Sequence, residues 1–99
     1  MKRAAVFFAT GFEEIEALTV VDLLRRAGVE TVCVSIDNSE SVTGSHQISV
    51  AMDIGIDRLD FGLLDMLVLP GGMPGTKNLE ACEWLIRNLR ASYENGHYI

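Results

Sequence analysis

Two apolar, β-rich runs, RAAVFFA (3–9) and ETVCVSI (30–36), bracket a stretch that carries helix punctuation at both ends, TGFEEIEALTVVDLLRRAG. Strand, helix, strand in that order leaves two strands pointing the same way, and parallel strands need cover on both faces of their sheet. The nearly unbroken apolar character of RAAVFFA fits such a doubly covered strand. A third run, DMLVLP (65–70), reads as another buried strand and is stopped by Pro70. LEACEWLIRNLRASYEN (79–95) places Leu79, Leu85, Ile86, Leu89 and Tyr93 at helical spacing, and Asn95 with Gly96 supplies a stop. The order predicts an α/β fold with a mostly parallel sheet. Between these elements, DNSESVTGS (37–45) is polar turn chemistry, and HQISVAMDI (46–54) is a short strand or hairpin arm. DRLDFGLL (57–64) has no clear period, GGMPGTKN (71–78) is a loop, and HYI (97–99) opens like one more strand.

Composition narrows the partners. The chain has 99 residues, 48% of them hydrophobic, and a formal net charge of −6. It fits one small domain or part of a larger one. The negative charge argues against nucleic acid, whose phosphates need a basic surface. No apolar run approaches the ~20 residues that span a bilayer, so no membrane segment is expected. The apolar start is too short for a secretory signal and runs at once into acidic residues. Cys33 and Cys82 make no metal pattern and allow one disulfide at most, so a reducing, cytoplasmic setting is the simplest expectation.

The first helix poses the chemical question. Thr10 and Glu13 have capping-box spacing, and Gly28 suits the position just past a helix end, with Arg25 and Arg26 on the negative pole of the dipole. The helix is expected over about 11–27. Wound at about 100° per residue from Phe12, residues Leu23, Ala27, Val20, Leu24, Ala17 and Val21 share an arc from roughly 0° to 180°. Glu14, Asp22, Arg25 and Arg26 fall opposite. Glu16 falls at about 40°, inside the apolar arc and too far along to cap the helix. A buried carboxyl there favours its protonated form, and a protonated acid can donate to a thiolate or oxyanion. The plainer alternative has Glu16 snorkelling to the helix edge or pairing with a lysine.

LVLPGGMPG (67–75) leaves a strand where ligands of open α/β sheets bind, beyond the strand's carboxyl end. Gly71 and Gly72 permit close backbone approach and can present N–H groups to a developing oxyanion, or form only a tight turn. The spacing matches neither a P-loop nor a dinucleotide fingerprint, so no cofactor is implied. Cys33 and Cys82 read as packing residues, His46 and His97 as surface residues, and Asp57, Asp60 and Asp65 as a solvated face.

GFEEIEA, VVDLLRRAGVETV and VLPGGMPGTKNL, in that order, resemble the ThiJ/PfpI family, the family of the parkinsonism-associated deglycase within the class I glutamine-amidotransferase-like fold. The resemblance runs over the whole chain. It implies a flavodoxin-like three-layer sandwich, incomplete here, with residues 1–99 as the N-terminal portion of a single domain. It implies cysteine chemistry on small reactive carbonyls or their adducts, of glyoxalase or deglycase type, without cofactor or metal. Glu16 matches the family's glutamate that hydrogen-bonds the reactive cysteine, Gly72 the glycine whose N–H serves the oxyanion pocket, and Gly71 shapes the same substrate-contacting turn. Neither Cys33 nor Cys82 matches the nucleophile. That residue would follow the HYI strand, beyond Ile99 or on a second chain carrying the C-terminal portion. A homodimer with the first helix near its interface is also implied. The alternative is a non-catalytic stress-response chaperone or dimerising module of the same fold.

Overall fold

The computed structural model describes residues 2–99. Strand β1 (Arg3–Phe8) lies inside the sheet because it is apolar on both faces, and Ala4 through Ala9 are all buried. It pairs in parallel with β2 (Glu30–Ser35) on one side and β6 (Met66–Val68) on the other. A short β5 (Ile54–Gly55) adds outside β2, giving the all-parallel order β5-β2-β1-β6. An isolated parallel bridge from Tyr98 to Met66 continues the pairing beyond β6. This sheet is the expected α/β core.

Alternation along β1 splits the core into two layers. Ala5, Phe7 and Ala9 face Leu79 and Leu85 of α2 (Gly75–Glu80) and α3 (Glu83–Glu94), where Phe7 stacks on Phe61. Val6 and Phe8 face Ala17 and Val21 of α1 (Glu14–Arg26), together with Phe12 and Val42. Burying each such phenylalanine contributes on the order of 1.5–3 kcal/mol. With helices on both faces of a parallel sheet, the arrangement is the flavodoxin-like sandwich.

Several local expectations are corrected. Helix α1 starts at Glu14 rather than Gly11, and Glu13 is its N-cap, its Oε1 accepting from Ile15 N at 3.1 Å. The Thr10 capping box does not form, because the Glu13 N–H donates to Gly71 O at 2.9 Å instead. The helix does stop where expected: Gly28 takes φ +83° and donates to Arg25 O. The buried stripe of α1 is narrower than the apolar arc. It runs through Glu14, Ala17 and Val21 and leaves Leu23 58% exposed. The polar 37–45 segment contains a strand, β3 (Ser41–Thr43), which pairs antiparallel with β4 (Ser49–Ala51) as a hairpin over α1's amino end. The second long helix is broken at Ala81–Cys82, and its first part begins earlier than expected, inside the GGMPGTKN segment. On α3 Ser92 is buried along with Leu85, while Tyr93 stands out in solvent.

Candidate functional site

β1 and β6 are neighbours and parallel, so the loops leaving their carboxyl ends lie side by side. Residues 9–13 follow β1 and residues 69–75 follow β6. Three hydrogen bonds tie the first loop to the second and to the start of α2. Glu13 N donates to Gly71 O, Gly75 N to Gly11 O at 3.2 Å, and Asn78 Nδ2 to Thr10 O at 2.8 Å. Within the first loop, Phe12 N donates to Ala9 O at 3.0 Å and closes the turn that leads into α1.

Gly72 is the residue this junction demands. It holds φ +106°, and a Cβ there would lie 2.5 Å from Glu13 N. Among the described residues, the N–H groups of Gly71 and Gly72 have no hydrogen-bond acceptor, while Gly72 O receives Thr76 N at 2.8 Å as α2 begins. Gly71 turns its Cα toward helix α1, where a Cβ would meet Glu16 Oε1 at 2.8 Å. The structure therefore brings together Glu16, Gly71 and Gly72, the three residues singled out from the sequence.

The burial expected of Glu16 is not observed. Glu16 is exposed and Glu14 is the buried acid, only 4% exposed. The physical reason is the direction of α1's buried stripe, which passes through Glu14 and leaves Glu16 on its flank. The Glu14 carboxylate accepts from His46 N at 2.8 Å, His46 Nδ1 at 3.0 Å and Ile48 N at 3.3 Å. Burial pushes its pKa up. The hydrogen bonds from the His46 ring, from its own N–H and from the N–H groups of His46 and Ile48 outweigh this and hold it at about 2. The histidine is raised in turn by its bond to Glu14, then by the charges of Glu13, 3.9 Å away, and Glu14. Glu13, Glu14 and His46 offer ligand atoms within 4.8 Å of one another, but both Glu14 oxygens already accept N–H donors. The cluster is thus a hydrogen-bond network. Sequence reasoning missed it, and the available signal was the small Gly44 turn preceding His46, which lets a carboxyl approach.

Both cysteines are free thiols set in the packed layers. Cys33 is buried on β2, and burial followed by the nearby Asp53 carboxylate raises its thiol to about 11, against the opposing Arg25 charge. Cys82 packs beside the α2–α3 layer. Glu16 lines neither of two surface clefts. One of about 270 Å³, lined by Arg3, Glu30, Ile54 and Arg58, opens toward the amino ends of the strands, and an apolar one borders β6 at Val68, Leu69 and Tyr98.

Glu16 thus lies against the Gly71–Gly72 turn at the carboxyl edge of the parallel sheet. The pattern of the DJ-1/PfpI family matches residues 2–99. The chain belongs to the DJ-1/PfpI family. Among its DJ-1/PfpI relatives, Protein DJ-1 homolog A of Arabidopsis thaliana is 38% identical over 82 residues, 83% of this chain and 21% of that protein. Protein dj-1beta of Drosophila melanogaster is 32% identical over 95 residues, 96% of this chain and 50% of that protein. The structure of oxidized Toxoplasma gondii DJ-1 superposes with a TM-score of 0.93 at 33% identity, covering 98% of this chain and 53% of that one. The chain thus spans between a fifth and about half the length of these DJ-1/PfpI proteins. Among the described residues, no helix is long and apolar enough to cross a membrane.

Proposed function

We propose that this chain supplies the acid and oxyanion half of a cysteine-dependent site acting on small reactive carbonyls or their adducts, in the manner of a glyoxalase or deglycase. The observation that carries the reading is the contact of Glu16 Oε1 with the Gly71 turn, beside the unpaired N–H groups of Gly71 and Gly72. The thiolate would come from the remainder of the domain or from a second chain. The Met66–Tyr98 bridge supports a place for it, because a strand continuing from Tyr98 would run alongside β6 toward the carboxyl edge of the sheet. Such a strand would also cover Glu16, which is open to water here.

In that arrangement the thiolate attacks the carbonyl carbon. A C–S bond forms, the carbonyl π pair moves onto oxygen, and the Gly72 N–H stabilises the oxyanion while the Glu16 carboxyl hydrogen-bonds the sulfur. Pairing as a homodimer over the outer face of α1 is part of the same reading, because Ile15 is 76% and Leu23 58% exposed there.

Turnover of a dicarbonyl such as glyoxal by the complete reading frame tests the assignment. Glu16→Leu is expected to cost about 10²–10³ in rate. Glu16→Gln keeps a donor and is expected to shift the pH at which the thiol ionises. Full activity in Glu16→Leu would remove the acid from the mechanism.

A further inference from the structure

The turn that leads into α1, residues 11–13, is held from two sides. On one side it is bound to the glycine turn, through Glu13 N to Gly71 O and Gly75 N to Gly11 O. On the other it is bound to the tip of the β3–β4 hairpin, where Ser45 N donates to Phe12 O at 2.9 Å and Gly11 N to Thr43 O at 2.9 Å. Residues 11–14 are the wall these two loops share. The hairpin's hold centres on Glu14, whose carboxylate gathers three donors from residues 46–48 and fills the space a side chain at Gly44 would need. One of those donors is a side chain that can change its charge. The His46 ring is 67% exposed, so it exchanges protons freely with water, yet its Nδ1 lies 3.0 Å from a carboxylate that is almost fully enclosed.

We propose that the Glu14–His46 pair is a proton-operated latch: with His46 charged, the hairpin tip clamps the first turn of α1 and so fixes Glu16 and the Gly71–Gly72 turn relative to each other, and loss of that proton loosens the clamp. Neutral His46 can still place an N–H on Glu14, but the attraction of the Glu14 and Glu13 charges is gone. Those two acids are the titratable groups that face the ring from α1. Strands β3 and β4, the 70–75 turn and residues 9–12 bring no titratable side chain to it. The bond to Glu14, then the charges of Glu13 and Glu14, raise the ring above its ordinary value of 6.5. This inference goes beyond the cysteine chemistry, and its test needs no catalytic activity.

The test is NMR of labelled protein between about pH 5 and 9, following the His46 ring together with the Gly71 and Gly72 amides. The glycine amide shifts are expected to move with the same midpoint as His46. His46→Asn, which offers a neutral donor near the Nδ1 position on an exposed side chain, is expected to flatten both glycine curves. Glu14→Gln, where it folds, is expected to lower the His46 midpoint. Glycine amides that stay fixed while His46 titrates would overturn the latch, as would glycine curves unchanged in His46→Asn.

Discussion

Glu14 and Glu16 stand two residues apart on one helix and meet opposite surroundings. Glu14 is enclosed by the hairpin, with its oxygens met by fixed N–H groups. Glu16 is open to solvent on one side and touches Gly71 on the other. The difference separates two tasks that a carboxylate can perform. An acid surrounded by donors is locked in its charged form and serves to position other groups. An acid left without fixed donors at the carboxyl edge of a parallel sheet keeps its hydrogen-bonding capacity for whatever arrives there. The buried acid is therefore the structural member of the pair, and the exposed one is the candidate for chemistry.

Substitution should pull the two apart. The largest effect is expected from Glu16→Leu on turnover by the complete protein, a loss of about 10²–10³, equivalent to ~2.7–4 kcal/mol. Its thermal midpoint should change by no more than about 2–4 °C, because exposed positions contribute little to folding. Glu14→Ala should reverse the pattern. It removes the acceptor from the His46 and Ile48 N–H groups and should lower the melting temperature well beyond the change seen for Glu16→Leu, with hydrogen exchange in residues 44–48 speeded first. Equal melting temperatures for the two variants would break the comparison. Gly72→Ala comes next, at roughly 1–3 kcal/mol for forcing a side chain into φ +106° against the α1 backbone, measured by urea unfolding. Gly44→Ala should cost a similar order, about 1–3 kcal/mol, since its methyl would occupy the space of the Glu14 carboxyl.

Much of the frame was legible because buried parallel strands write themselves as continuous apolar runs. RAAVFFA, ETVCVSI and DMLVLP became β1, β2 and β6. Gly28 marked the end of α1, and the Gly71–Gly72 turn together with Glu16 was readable as one edge of the sheet. The start of α1 was not readable, since Thr10 and Glu13 had the spacing for a capping box and only a distant partner, Gly71 O, decided against it. Glu14 was misplaced for a related reason. A helical wheel ranks faces by residue type, and here a three-residue hairpin strand hidden in polar sequence turned a polar position into a buried one by supplying donors. Local periodicity carries no record of such long-range bonds.

The smallest expected effect is the pH dependence of folding, and it sharpens the comparison most because it isolates the Glu14–His46 contact. The pKa of Glu14 is lowered from 4.5 to about 2 in the folded chain, so its contribution is complete above 4.5 and is lost as pH falls toward 2. That of His46 is raised from 6.5, so its contribution is complete below 6.5 and is lost as pH rises through the folded value. The two together give a plateau between 4.5 and 6.5. The melting temperature should fall by a few degrees on the alkaline side, the modest size reflecting an exposed ring screened by water. His46→Asn should abolish the alkaline decline and leave the acid limb, which belongs to Glu14. Replacing Glu16 by glutamine should leave both limbs in place, because that carboxyl takes no part in the contact. An alkaline decline that persists in His46→Asn would assign it to another group and leave Glu14 as a static anchor for the hairpin.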